Sequence, residues 1–442
     1  MAHPAVITGV FDGRFRAAST AEASLAAVTG FTGRCAQVLL VPGEDGRTAV
    51  HLGLGSQEGW RPEHGHQAMA GLDGLDIDPS ACETDGLLAA MSEVTDRSLA
   101  EEIVEAGLRL AVADVREPGP GSPAGAHVAA AIRRARRWTN ATAAQLDPLG
   151  FADLARSVAG DSHLDISVIS GDALLESGFG AIHAMGAGSS RPPALVELRY
   201  RPAEPTTRIA LVGKGVTFDT GGLSLKSPAA MSGMRQDKCG AATVLAVMSV
   251  LAQLEVRAEV RALLPLVENM IGPQGLRPGD VVRAWDGTEI QVLDTDFEGR
   301  VILADALAYA AAEQPDLIVD IATLTYQVVT ALGPSIGGLF ARDDAVADLL
   351  ESAASCAGEP LWRLPYDTRY LDQVLTPGGV KNHPETDSGR AITAALFLGR
   401  FVPDAVAWAH LDITGPAWSG PPSSAGATGF GVRTLLTLLR TI

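Results

Sequence analysis

Residues 212–226 read Val212-Gly213-Lys214-Gly215-Val216-Thr217-Phe218-Asp219-Thr220-Gly221-Gly222-Leu223-Ser224-Leu225-Lys226. The residues that lead in, 208–212, are short and mostly apolar, as a buried strand is. The glycines that follow cannot continue a strand and form a loop. Downstream, 240–254 is rich in Ala, Val, Leu and Met and reads as a packed helix of small residues. Apolar runs at 260–264, 289–293 and 317–321 read as strands, and 300–312 as a helix. Strands alternating with helices predict a mainly parallel sheet covered on both faces. In such sheets the site lies beyond the carboxyl ends of the strands, which is where the 212–226 loop falls.

Upstream the elements are shorter. Residues 5–10, 36–41 and 108–115 read as strands, and 21–28 and 99–106 as helices, which is again α/β patterning. Glu117-Pro118-Gly119-Pro120-Gly121-Ser122-Pro123 then interrupts everything, because this density of Pro and Gly supports neither a helix nor a central strand. The expected organisation is two α/β domains. Residues 1–122 form an N-terminal domain of macro-like type. Residues 123–442 form the C-terminal domain, including a linking helix over 126–138, whose mainly parallel sheet flanked by helices carries the chemistry. A chain of 442 residues exceeds one ordinary core, which agrees.

Hydrophobic residues at 47% and charged residues at 19% are globular proportions. The formal net charge of -18 argues against nucleic acid and against an anionic membrane surface as partners. Arg133-Arg134-Ala135-Arg136-Arg137 is the densest basic run, and its spacing reads as one solvated helix face. The four cysteines, Cys35, Cys82, Cys239 and Cys356, form no CxxC and fit a reducing cytoplasm. Residues 1–13 lack the form of a signal peptide, and no run reaches the ~18 apolar residues of a membrane span. The expectation is a soluble, cytoplasmic protein.

A second segment, Asp294-Thr295-Asp296-Phe297-Glu298-Gly299-Arg300, also stands between a strand and a helix. Together with the first it gathers Asp219, Asp237, Asp296 and Glu298. Asp296 and Glu298 are two apart and project to one side of an extended chain. Clustered carboxylates repel and raise one another's pKa, a cost that hard divalent cations relieve, and two close cations need a bridging carboxylate. Taken singly, either segment is more often a capped loop than a catalytic one. There is no HExxH, no GxxxxGK[ST] phosphate loop and no GxSxG elbow.

Taken together, the segments resemble the leucyl (cytosol) aminopeptidase family of metallopeptidases. The first carries the Gly-Lys-Gly, Phe-Asp-x-Gly-Gly and Leu-Lys pattern. The second matches Asn-Thr-Asp-Ala-Glu-Gly-Arg except at Asp294 and Phe297. Further matches are Leu303-Ala304-Asp305-Ala306-Leu307, Asp320-Ile321-Ala322-Thr323-Leu324-Thr325, Trp408-Ala409-His410-Leu411-Asp412 and Thr428-Gly429-Phe430-Gly431-Val432-Arg433. The resemblance covers 126–442.

It implies a metal-dependent aminopeptidase that removes the N-terminal residue of peptides or dipeptides with a water activated by two metals. One divalent ion would be held by Lys214, Asp219, Asp237 and Glu298, and the other by Asp219, Asp296 and Glu298. Zinc or manganese is favoured, and magnesium or cobalt is also accepted by such a set. Lys226 would polarise the scissile carbonyl, and Arg300 would hold a bicarbonate as general base. Met234, Asp294, Phe297, Thr323, Leu324 and Tyr326 would surround the substrate, whose amino group would reach Asp237. The family also implies a homo-hexamer assembled through the N-terminal domain.

Several positions depart from the pattern. Asp294 stands for Asn, Phe297 for Ala, Tyr326 for Gly, and Lys238 for Met. Residues 381–389, Lys381-Asn382-His383-Pro384-Glu385-Thr386-Asp387-Ser388-Gly389, depart from a Gly-rich loop. The two added rings predict a shallower first-residue pocket that favours small side chains. An alternative is a same-fold hydrolase specialised for a biosynthetic or conjugate peptide. A non-enzymatic DNA-binding or scaffold role is opposed by the acidic charge and the intact site positions. His383 and His410 are weak ligand candidates, His410 reading as a core histidine. The His64-x-His66 pair reads as a surface loop.

Overall fold

The computed structural model describes residues 5–11, 38–42, 48–55, 123–419 and 426–442. The chain divides into two compact units, Met1–Arg133 and Arg134–Ile442. In the first, β1 (Ala5–Phe11) pairs in parallel with β3 (Thr48–Gly55), and β2 (Val38–Pro42) joins β3 antiparallel. The strand expected at 108–115, the helices at 21–28 and 99–106, and His64, His66, Cys35 and Cys82 lie outside the described residues. Helix α1 (Pro123–Asn140) contains the division between the units.

The second unit is built on a nine-stranded sheet. At its centre β16 (Ala407–Asp412), β11 (Leu317–Ala322), β6 (Arg208–Gly213) and β8 (Glu259–Asn269) run parallel, and β7 (Gly215–Asp219) extends β6 along the far end of β8. The margins turn antiparallel, with β12 (Gly337–Ala341) on β16 and β5 (Ala194–Tyr200) on β8. The mainly parallel expectation therefore describes the centre of the sheet. Its central strands are buried along nearly their whole length, as strands covered on both faces must be.

Two helices lock the centre. α4 (Cys239–Met248) is buried at every position, and α5 (Glu298–Ala311) at all but Tyr309. A helix apolar all round belongs inside a core rather than on a surface. α4 approaches the sheet backbone directly, because a Cβ on Gly240 would stand 2.2 Å from the Ile321 carbonyl oxygen. The helical run expected to reach 254 ends earlier, since 249–255 is a chain of turns.

One further reading needs correction. Residues 289–293 do not join the main sheet. Only Glu289–Gln291 (β10) is a strand, hairpinned to β9 (Val281–Arg283) through Asp286 and Gly287, the latter at φ +88°. β10 also pairs in parallel with β15 (Gly379–Lys381), so a small second sheet delivers residues 292–300 and 382–389 side by side. The arginine run faces outward along α1, with Arg134 and Arg137 exposed and Arg133 and Arg136 partly so, and Arg134 also donates to Ser249 Oγ at 2.8 Å.

Asp305 of α5 shows how the helices are tied together. Its carboxylate accepts from the backbone N–H of Ile182 at 2.9 Å, at the start of α3 (Gly180–Gly186), and of Trp285 at 2.8 Å. Asp305→Ala orphans these buried donors and should cost roughly 3 kcal/mol of stability. A melting midpoint for the full chain that does not move would refute this assignment.

Candidate active site

Each site residue stands at or just past the carboxyl end of a strand, or in the loop that follows. Lys214 follows β6 and Thr323 follows β11, while Asp219 closes β7, Asn269 closes β8 and Asp412 closes β16. A short 3-10 helix, Met234–Lys238, brings Asp237, and the 294–300 loop brings Asp296 and Glu298. The two glycine-containing loops are zipped together. Thr295 Oγ1 donates to Gly221 O at 2.6 Å and accepts from Ser224 N at 2.8 Å. Gly221 sits at φ +85°, and a Cβ there would lie 2.8 Å from Asp296 Oδ1.

Two ammonium groups bridge four carboxylates. Lys214 Nζ donates to Asp237 Oδ1 at 2.7 Å and to Thr323 O at 2.9 Å, and lies 2.8 Å from Glu298 Oε1. Lys226 Nζ lies 2.8 Å from Asp219 Oδ2 and 2.5 Å from Asp296 Oδ1. Asp219 is steadied from behind, its Oδ1 accepting from Gly221 N and Asn269 Nδ2, both at 2.8 Å. Burial works against charge on both lysines. The facing carboxylates, Asp237 first for Lys214 and Asp219 first for Lys226, outweigh it and hold both above the ordinary lysine value. Burial pushes Asp237 and Asp296 up to about 7, helped by the neighbouring carboxylates Asp219 and Glu298. Glu298 is different: burial would raise it, but Lys214 and Lys226 prevail and hold it low.

The donor set fits divalent cations. Asp219, Asp296 and Glu298 each bring one carboxylate oxygen to within 4.8 Å of the others. Asp237 Oδ2 is buried without a hydrogen-bond partner, and Glu298 Oε1 and Asp296 Oδ1 face ammonium groups without hydrogen-bond alignment. Buried oxygens left this way are costly unless a cation takes them up. Gly299 is part of this fit, because a Cβ there would stand 2.4 Å from Lys214 Cε and 2.7 Å from its Nζ. Gly299→Ala should displace the lysine without unfolding the chain, since a flexible side-chain end can yield. Weaker metal binding with an unchanged melting midpoint is the expected result, and unaltered metal affinity would contradict it.

Other residues singled out from sequence fall less uniformly. Met234 is half-buried in the 3-10 helix. Thr323 donates from Oγ1 to Asp237 Oδ1 at 2.7 Å, and Leu324 N donates to Asp412 Oδ1 at 3.2 Å. Asp294 accepts from Asp296 N at 2.9 Å and so shapes the loop. Tyr326 is 73% exposed at the first position of helix α6 (Tyr326–Leu332). The Phe297 ring is taken up by other groups. Its centroid lies 4.4 Å from the Arg300 guanidinium carbon, 4.8 Å from the His383 ring and 5.7 Å from the Arg390 guanidinium carbon.

His383 thus packs on Phe297 and contacts Arg390, at 3.2 Å from its Nη2, rather than joining the carboxylates. His410 is buried with Nδ1 2.5 Å from Asp320 Oδ1, as a core histidine is. Lys238 is fully buried and donates to Ala141 O at 2.7 Å and Arg235 O at 2.9 Å, burial lowering its pKa to about 8.

Three positioning residues escaped the sequence reading. Asn269 ties Asp219 to the Thr295 carbonyl, at 3.0 Å to the latter. Asn382 accepts from Leu293 N at 2.8 Å and donates to Asp294 O at 2.6 Å, holding the second loop. Asp412 accepts from Thr325 N at 2.9 Å and from its Oγ1 at 2.7 Å, fixing 323–325. Each is a polar residue closing or following a strand, and that placement was the available signal.

An α/β sheet whose carboxyl edge gathers buried carboxylates and lysines suited to divalent cations defines a candidate metal centre. The match to known proteins narrows this. Residues 133–436 match the catalytic domain of the cytosol aminopeptidase family, and the chain belongs to that family. A probable cytosol aminopeptidase of Acidovorax ebreus is 38% identical over 92% of this chain and 85% of its own length. One of Solibacter usitatus is 44% identical over 69% of this chain, a match that spans 64% of that relative's length. Among solved structures, the bottromycin maturation enzyme BotP in complex with Mn superposes with a TM-score of 0.81 at 35% identity, covering 100% of this chain and 99% of that one. A tomato leucine aminopeptidase mutant gives 0.79 at 29% identity, covering 100% of this chain and 94% of the other.

Proposed function

We propose that the chain is a metal-dependent aminopeptidase that hydrolyses the N-terminal bond of peptides or dipeptides. The carrying observation is the convergence of Lys214, Asp219, Asp237, Asp296 and Glu298, with buried oxygens lacking hydrogen bonds, beside the partly open Lys226. Two divalent ions, zinc or manganese before magnesium or cobalt, would be held by these five residues, Lys214 ligating only once the ions have displaced the proton that the carboxylates hold on it. When bound, they supply Lewis acidity and bring water's pKa toward neutrality.

The protein's own groups do the rest. Asp237 is placed to receive the substrate's amino group, which makes the action exopeptidase. Lys226 meets the carbonyl oxygen as its charge develops. The 323–325 backbone, fixed by Asp412, aligns the peptide. A first-residue pocket narrowed in favour of small side chains would rest on the two added rings, Phe297 and Tyr326, with Asp294 disfavouring acidic side chains. A cytoplasmic homo-hexamer, assembled through the N-terminal α/β domain, completes the proposal.

The decisive test is hydrolysis of a dipeptide and aminoacyl-arylamide panel by the metal-loaded full chain. No turnover with any of the four metals would sink the proposal. A second reading, a hydrolase specialised for a biosynthetic peptide, draws on one observation. The likeness to BotP is at higher identity, 35%, than that to the tomato enzyme, 29%. Under that reading longer peptides are cleaved and the general panel is poor.

A further inference from the structure

Resting on the reading of Asp237 as a metal ligand, we infer that Lys238 is a positioning residue for the metal site, its ammonium hanging the Met234–Lys238 turn from the carboxyl end of α1. Lys238 stands where the family pattern has Met, a side chain of similar length with no donor. The position is 0% exposed, and Nζ donates to Ala141 O at 2.7 Å and to Arg235 O at 2.9 Å. Ala141 follows the last residue of α1. At such an end the carbonyls have no partner within the helix, and the helix dipole favours a cation. The buried ammonium is thus stabilised by backbone carbonyls, and it joins two segments that lie far apart in the chain.

The anchor itself is fixed. Asn140 Oδ1 accepts from Ala427 N at 2.9 Å, and Arg134 of the same helix donates to Ser249 Oγ. Downstream of the turn, Ala241 N donates to Lys214 O at 2.8 Å and fixes the start of α4. Within the turn, Arg235 lies over the Trp418 ring at 5.3 Å. A 3-10 turn has poorer hydrogen-bond geometry than an α-helix and holds its shape less well unaided. Lys238 closes it, with one bond reaching back three residues to Arg235 O and the other out to α1. Asp237, the preceding residue, depends on that backbone. Its Oδ1 is held by Lys214 and Thr323, while Oδ2 is buried without a hydrogen-bond partner. Holding the turn therefore sets where Oδ2 points, and orientation is what outer groups supply to a metal ligand.

Zinc and manganese affinities of the full chain, measured by competition with a chromophoric chelator, test this. Lys238→Met keeps the length and loses the donors. It should bind metal roughly 10-fold or more weakly, the usual cost of removing a group that orients a metal ligand. In the metal-free chain its amides at 236–239 should exchange with deuterium faster than in the wild type, while those of α5 keep their protection. With metal in excess, kcat should recover while KM stays raised, because Asp237 also receives the substrate's amino group. A purely structural role would lower the melting midpoint and leave metal affinity unchanged, and that result overturns the inference. Should Lys238→Met fail to fold, Lys238→Gln decides. Its N–H groups sit one bond nearer the backbone and cannot reach both carbonyls, so wild-type affinity there also overturns it. A wild type that binds neither ion overturns the metal reading and this inference together. Tight binding by wild type and variant alike overturns the inference alone.

Discussion

Replacing Glu298 with alanine should abolish peptide hydrolysis and remove most of the bound metal, while the chain stays folded. The fold should survive because Glu298 opens α5 without capping it. That helix is anchored by burial along nearly its whole length and by the Asp305 bonds to α3 and Trp285. Lys214 would keep Asp237 and the Thr323 carbonyl as partners, so no buried ammonium is stranded. What disappears is the carboxylate that lies near Lys214 and closes the group with Asp219 and Asp296. Without it Asp219 and Asp296 offer too few oxygens to hold a pair of hard cations. Glu298→Gln should behave similarly, because it keeps the volume and loses the charge. Elemental analysis beside circular dichroism reads the outcome. Two ions per chain still bound to a folded, inactive Glu298→Ala would remove Glu298 from the ligand set.

The centre of the fold was legible because its signals are local. A buried strand, a glycine-interrupted loop and a helix of small residues each leave a pattern within a short window. Asp219 and Asp296 were legible for the same reason, standing at or in such loops, whereas Asp237 lies in a 3-10 helix and Glu298 opens α5. Pairings between distant segments leave no such pattern. β10 was read as a strand of the main sheet, and only its partnership with β15 shows why 292–300 and 382–389 lie together. Asn382 holds the Asp294 loop from across that second sheet, and its place after a strand marks it as a candidate without disclosing its partner. Phe297 illustrates the same limit. Its size was visible in the sequence, but its direction is set by Arg300, His383 and Arg390, two of which lie far along the chain.

Lys226→Ala should keep its metal and lose roughly 10²–10³ in kcat, the usual cost of removing one donor to a developing oxyanion. The two lysines of the site differ in the feature that matters here. Lys214 has a side chain only 4% exposed and is spent on Asp237, Glu298 and a backbone carbonyl. Lys226 is 14% exposed and contacts only carboxylates, Asp219 and Asp296. A side chain at the open edge can turn to a substrate, whereas an enclosed one cannot. Asp219, Glu298 and Asp296 outweigh burial and keep Lys226 protonated, so it arrives as a donor. Its removal takes a positive charge from between two carboxylates, which leaves their attraction for cations undiminished. Metal content should therefore stay at the wild-type level, with kcat falling more than KM changes. The parallel change Lys214→Ala should instead lose metal. If Lys226→Ala loses its metal and regains full rate when metal is added in excess, Lys226 is a ligand and the two roles must be exchanged.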